Sequence, residues 1–318
     1  MIAQYENKIM SSMLLFLDHE ICSKGEAFTN ITDHPIYPID VNYSNLIYDP
    51  SIIPPYSETS NEINVYALPF KQIIIDESIT GANLCKGISV DGGGGPIFVS
   101  PGVPSRDGKT WSPESQVANP LNCILHHKGQ FLLVEDLSPY SLTVTAAVKD
   151  FNIYISSKFE EDLLINTKYQ LNPRINQTLA GLPDTAETFP AIFLKNMGGK
   201  IDPLAIGSNL GNVITKIRAV VMADSAFQLD AVCSILKNTK LADLPIFESN
   251  NLPFNSIGGF TGVIYDYNIE ASSASESVTI WDVNVTRLNP NSSGLKNLDA
   301  EVHSAFVDFE VHGIGKNS

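Results

Sequence analysis

The stretch that most constrains this chain is residues 142–157, LTVTAAVKDFNIYISS. It is the longest run of β-branched and aromatic residues, with no Pro or Gly inside it. Leu142, Val144, Ala146 and Val148 fall on one face, the alternation of a half-buried strand. From Phe151 the apolar set becomes Phe151, Ile153 and Ile155, one residue out of step. A slip of one turns every side chain to the other face. The chain therefore either breaks into two strands near Lys149-Asp150 or carries a β-bulge there. The reading preferred from sequence is one long, bent, central strand.

The rest of the chain supports a β-rich α+β fold of mostly antiparallel sheets or a sandwich. It has an N-terminal helix and one clear helix near 225–237. Residues 4–17 place Ile9, Met13, Phe16 and Leu17 at i, i+4, i+7 and i+8, with Met10 and Leu14 widening the stripe. Such a helix docks on its own core or reaches a neighbouring subunit, and the docked form is preferred. Residues 23–69 lack periodicity and are rich in Pro, Asn, Tyr and Ser, as an extended interaction arm would be. Regular β structure is expected from Phe70 to Asp76. Hairpins are expected at 87–100 around Asp91 and its four glycines, and at 124–135 around Lys128-Gly129. Residues 159–169 favour a short helix, because Glu160-Glu161-Asp162 suits a helix start.

Residues 172–187, with two prolines and a glycine, mark the boundary to a second unit. Three units are thus expected: 1–69, helix plus arm; 70–171, β-rich; and 188–318, α+β. In the last, residues 191–195 and 214–222 read as buried strands. Ser225 and Gln228 form a capping box ahead of Leu229, Val232, Cys233 and Leu236, with Lys237 and Lys240 placed to complement the helix dipole. Three alternating runs then suggest an antiparallel meander with one wet face. They are Val263, Tyr265, Tyr267 and Ile269; Trp281, Val283 and Val285; and Ala305, Val307, Phe309 and Val311.

The sequence carries no constellation that completes a catalytic, phosphate-binding or metal motif. Gly108-Lys109-Thr110 resembles a phosphate loop, but Val103 stands where the first glycine belongs, and Pro113 follows where a helix must start. Asp91 and glycines 92–95 lead into a strand rather than a helix. His126 and His127 are adjacent and on a strand would point to opposite faces, while His303 and His312 lie in the last strand. The four cysteines are widely spaced, with no CxxC pair, and read as reduced buried thiols. No catalytic, cofactor or metal residue is assigned. The balance of 20 Lys+Arg against 35 Asp+Glu, a formal charge of −15, opposes simple electrostatic nucleic-acid binding. The apolar run 9–17 is too short to span a bilayer and lacks a basic leader, so the protein is expected to be made in the cytoplasm, with no membrane partner.

Four segments carry a family resemblance. They are PFKQIIIDESI at 69–79, the hairpin GISVDG…IFVSPG at 87–102, AVKDFNIYIS at 147–156 and LPFNSIGGF at 252–260. With them the chain resembles structural proteins of tailed-phage virions that sit at the neck or along the tail. The resemblance implies a non-enzymatic, ring-forming subunit of the tail-terminator, sheath-stabiliser or connector kind. Its partners would be copies of itself in a ring or lattice and adjacent virion proteins. DNA would at most pass through an acidic lumen without specific binding. Two alternatives stand beside this. One is a capsid or shell protein of β-sandwich type. The other is a carbohydrate-binding or carbohydrate-active tail module, with Trp111 and Tyr140 as the candidate sugar platform.

Overall fold

The computed structural model describes residues 2–38, 64–91, 93, 96–99, 103–104, 111–112, 121–133, 140–166, 190–203, 210–248, 264–288 and 302–316. The chain opens with a long helix, α1 (Ile2–Gly25). Strands β1 (Phe28–Pro35), β2 (Tyr37–Pro38) and β3 (Asn64–Ala67) follow. Next come the hairpin β4 (Ile88–Asp91) and β5 (Pro96–Val99), and the short pair β6 (Val103–Pro104) and β7 (Trp111–Ser112). A second hairpin is β8 (Leu121–Leu125) and β9 (Gln130–Leu133). Then come β10 (Ser141–Lys149), β11 (Asn152–Ile155) and α2 (Glu160–Asn166). The second half runs β12 (Ala191–Pro203), β13 (Leu210–Ala223), α3 (Ala226–Asn238), β14 (Asp243–Ile246), α4 (Tyr267–Ser273), β15 (Glu276–Arg287) and β16 (His303–Lys316). The β-rich α+β class, the two expected helices and both hairpins are as the sequence implies.

The long bent strand is not. The slip at Lys149-Asp150 is a crossing between sheets. β10 lies inside a four-stranded sheet of order β1-β10-β4-β5, and β11 is the edge of a six-stranded sheet of order β11-β12-β13-β16-β15-β14. Two interactions hold the chain apart there. Lys149 forms an ion pair at 2.7 Å with Asp18 of α1, both side chains 9% exposed. Gln72 donates its amide to the Ile153 carbonyl at 2.8 Å and accepts the Ile153 N–H at 2.9 Å, so one side chain stands in for a pairing strand. On β10 the face Leu142, Val144, Ala146 and Val148 is buried as read. On β11, Ile153 is buried but Ile155 is half exposed, because the edge of the sheet ends there.

The expected strand at 70–76 is likewise absent. The segment makes only single bridges, Ile73 to Val148 of β10 and Asp76 to Tyr265 just ahead of α4. Its apolar side chains are buried in three separate clusters, Ile73 with the four-stranded sheet, Ile75 with the six-stranded one and Ile74 beside Cys22 and Ala147.

The six-stranded sheet curls into a half-barrel, and α1 and α3 fill its inner face. α1 is longer than the expected 4–17 and is buried on several sides, with Ile9, Met13, Leu15, Leu17 and Ile21 almost wholly excluded from water. It packs on α3, β14, β11 and β12, so its apolar residues are not confined to one stripe. On α3 the four residues read from sequence are the four buried ones, and Ser225 caps it by accepting the Gln228 N–H. Lys240 lies beyond the helix end and bonds Asp282 instead of the dipole, at 2.7 Å.

The meander exists with a different first strand, β14, β15 and β16 being consecutive antiparallel neighbours. The residues expected to alternate as 263–269 enter α4, because Asp266 caps the next turn by accepting the Ile269 N–H. Ala305, Val307, Phe309 and Val311 face the core as expected. Trp281 does not share a face with Val283: the register of β15 shifts between Ile280 and Asp282, and the bulge turns the indole outward. Residues 39–63, 167–189 and 249–263, which hold much of the arm, the boundary segment and LPFNSIGGF, lie outside the described residues, as does most of 101–120.

Gly129, between β8 and β9, has φ +62°, and a Cβ built on it would sit 2.0 Å from the Phe70 carbonyl oxygen. No flexible side chain is there to give way. Gly129→Ala is therefore expected to lower the unfolding free energy by at least about 2 kcal/mol, read from a shifted urea midpoint at unchanged slope.

Candidate functional site

The only His–Ser–carboxylate cluster among the described residues forms where α1, the 76–79 turn and α4 meet. His19 Nδ1 lies 2.8 Å from Asp76 Oδ2 and 3.3 Å from Ser78 Oγ. Asp76 Oδ1 accepts the Ser78 hydroxyl at 2.7 Å, the Ser78 N–H at 2.9 Å and the Tyr267 N–H at 2.9 Å. Tyr267 stacks on the His19 ring, with centroids 4.2 Å apart. Burial opposes ionisation of Asp76, yet the bonds from His19, Ser78 and Tyr267 outweigh it and hold the carboxyl below its usual value.

The residue types match a hydrolase triad, but the connections do not. A triad needs the serine on one imidazole nitrogen and the carboxylate on the other. Here both approach Nδ1, and the serine hydroxyl donates to the Asp76 carboxylate rather than to the imidazole, so the serine–histidine–carboxylate relay is not formed. The cluster is a knot that ties three segments together. Sequence reading missed it, although one signal was present: Asp18, His19 and Glu20 are polar residues inside a helix that stays buried to Ile21 and Cys22. Such residues need partners from elsewhere in the chain.

The other concentration of functional groups is the outer face of the six-stranded sheet. α2 covers one end of it, where Leu163 and Leu164 meet Phe193, Val220 and Met222. Beyond that cover the face is polar and paired across strands. Arg218 grips Asp308 with two bonds, Nε to Oδ1 at 2.6 Å and the Nη2 group to Oδ2 at 3.0 Å. It also reaches Glu160 at 3.2 Å and lies over the Phe306 ring. Glu160, expected to open a short helix, also bridges α2 to the sheet, 3.2 Å from Arg218 and 3.9 Å from Lys195. Glu310 accepts from His312 at 2.7 Å, and His312 stacks on the outward Trp281. Two shallow depressions mark this face. One, of about 350 Å³, involves Met197, Arg218, Asn284 and Asp308; the other, of about 540 Å³, involves Lys240, Leu241, Trp281 and Glu310.

The remaining residues singled out from sequence are scattered. His126 Nε2 lies 3.0 Å from the Cys85 carbonyl oxygen, and burial, then the charge of Lys128, pushes the His127 imidazole down to about 4. His303 opens β16, far along the strand from His312. Cys22, Cys85 and Cys233 are buried thiols. Burial pushes Cys85 up to about 12 and Cys233 up to about 11, which suppresses the reactive thiolate. Among the described residues no three His, Cys, Asp or Glu side chains converge as metal ligands, and no helix is long and apolar enough to cross a membrane. Tyr140 is exposed at the start of β10, and the side chain of Trp111 lies outside the described set. No protein-family model matches the chain, and no curated protein matches it.

Removing the Asp76 carboxylate takes away the partner of four groups in a buried site, the His19 ring, the Ser78 hydroxyl and N–H, and the Tyr267 N–H. Asp76→Ala is expected to cost about 3 kcal/mol of stability, and Asp76→Asn less, since an amide oxygen still accepts from Ser78 and Tyr267. The pH dependence has a defined sign. The folded carboxyl titrates below its ordinary value, so its contribution is complete above about pH 4 and fades as pH falls through the folded pKa. Urea midpoints measured from pH 6 to pH 2 should therefore fall more steeply for the wild type than for Asp76→Asn.

Proposed function

We propose that the protein is a non-enzymatic structural subunit of a tailed-phage virion, a ring-forming component of the neck or tail that joins or stabilises the tail around the DNA channel. The observation that carries this reading is the apolar surface left around the six-stranded sheet. Met197 is 44% exposed, Trp281 55%, Ile314 71% and Phe159 74%, on or beside one sheet whose inner face is already full. Exposed apolar side chains set among the paired charges of one sheet suit cover by a neighbouring protein molecule. The sequence resemblance supplies the virion context, and the charge of −15 suits a channel that DNA must traverse without sticking.

One observation favours a second reading, a glycan-binding tail module. The outward Trp281 is flanked by Asp282, Glu310 and Lys240, an aromatic ring beside hydrogen-bonding groups of the kind that holds a sugar.

Light scattering and negative-stain imaging of the purified full chain separate these. Closed rings of defined mass are the expected result, and a lattice or closed shell would instead favour a capsid role. A monomer at every concentration that binds a glycan array through Trp281, and loses that binding in Trp281→Ala, would replace the assembly reading with the second one.

A further inference from the structure

Among the described residues, the two edges of the six-stranded sheet are each only half closed, and in complementary halves. On one side β11 pairs with residues 191–194 of β12, and among the described residues no strand pairs with the outer side of 196–203. On the other side β14 pairs with residues 276–279 of β15, and Leu241 and Ala242 bond to Ile280. Among the described residues no strand pairs with the outer side of 281–287.

The ladder fixes where these open edges lie. Asn196 pairs with Ile217, Ile217 with Phe309 and Phe309 with Val283, so these four residues form one row across the sheet. From that row the open edge of β12 runs toward Pro203, and that of β15 runs the opposite way, toward Arg287. Three successive antiparallel pairings separate the two strands, so β12 and β15 themselves run in opposite directions.

We infer that, within the assembly role proposed above, copies of this chain join head to tail by antiparallel pairing of residues 196–203 of β12 with residues 281–287 of β15 in the next copy. Copies in the same orientation present opposed strand directions, which is the arrangement an antiparallel ladder needs. The short strands set the register. β14 of one copy lies beyond the end of the incoming β12, and β11 of the incoming copy lies beyond the end of β15, so neither collides. The contact is heterologous, and it closes a ring when its rotation permits.

The stagger has a geometric consequence. The centres of the two open edges differ by four or five residues, roughly 15 Å at about 3.3 Å per residue. Four strands per copy at about 4.8 Å repeat laterally every roughly 19 Å. Strands in a level ring must then tilt by roughly 40° from its axis, which falls within the 35–45° typical of closed β-barrels. Two short edge strands of four residues, diagonally placed, thus provide the shear that barrel closure requires.

Disulfide trapping in the full chain tests this. Lys200 and the β15 residues Asp282, Asn284 and Thr286 all lie away from the filled inner face, on the two open edges. Lys200→Cys is combined in turn with Asp282→Cys, Asn284→Cys and Thr286→Cys, and mild oxidation is followed on non-reducing gels beside light scattering. Within one copy the two edges stand three strand spacings apart, roughly 14 Å, too far for a disulfide. The expected result is a ladder of covalent multimers from at least one double variant and none from the wild type. Rings that form without a ladder in any combination would overturn the strand pairing while leaving the assembly role standing. A covalent dimer from Lys200→Cys alone would overturn it in favour of a two-fold contact between β12 strands. A protein that stays monomeric and uncross-linked at every concentration would overturn both the pairing and the role.

Discussion

The fold depends on one crossing, where the chain leaves one sheet for another between Lys149 and Asn152. A strand that continued straight through this point would carry a single hydrophobic face and build a single sheet. Here Lys149 is fixed by Asp18, buried on both sides, so the backbone cannot slide past without stranding a charge. Removing either partner of such a pair costs about 3–5 kcal/mol, because the other remains buried and uncompensated. The pair does more to select this path than to add net stability, since a buried ion pair roughly balances its own desolvation. It also fixes α1, which contributes Asp18 to the crossing and His19 to the Asp76 knot one residue later. Two adjacent polar residues on a buried helix thus lock it to the 76–79 turn, to α4 and to the four-stranded sheet at β10.

With α1 held, the inner face of the half-barrel is filled from within the chain, and the outer face becomes the variable surface. Its charges are largely engaged with one another: Arg218 with Asp308 and Glu160, Glu310 with His312, Lys240 with Asp282. Exposed pairs of this kind add little to stability. Their effect is to hold long side chains flat against the sheet, so the face is shallow rather than a deep cleft. A flat, self-paired surface bordered by apolar side chains suits protein contact better than enclosure of a small substrate.

Much of this was legible in the sequence wherever one face of an element meets one core. The α3 quartet, the β16 alternation and the two hairpins were each read correctly, because their patterns report a single neighbour. The errors arose where an element has several. α1 is apolar on more than one side because it touches helices and sheets at once, and residues 70–76 look like a strand because each isoleucine serves a different cluster. At 263–269 the alternation was real, but the Asp266 cap outweighed it locally. The histidine knot joins residues 57 and 191 positions apart, and no local pattern encodes contacts of that range. The face slip at Lys149-Asp150 was visible, yet sequence alone did not separate a bulge from a change of sheet. That choice is made by Asp18 and Gln72, both remote from it in the chain.

Charge and edges act in opposite directions on association. Backbone pairing along an exposed strand is indifferent to sequence, so an open edge by itself invites uncontrolled aggregation. A charge of −15 raises the cost of bringing any two copies together, and only a contact with enough bonds in register overcomes it. The four-residue strands β11 and β14 limit each open edge to one half of its long neighbour and so exclude most other registers. On the proposed pairing, acidity suppresses the many weak encounters while the stops select the register. On that proposal the charge and the edges left half closed among the described residues act together rather than against each other.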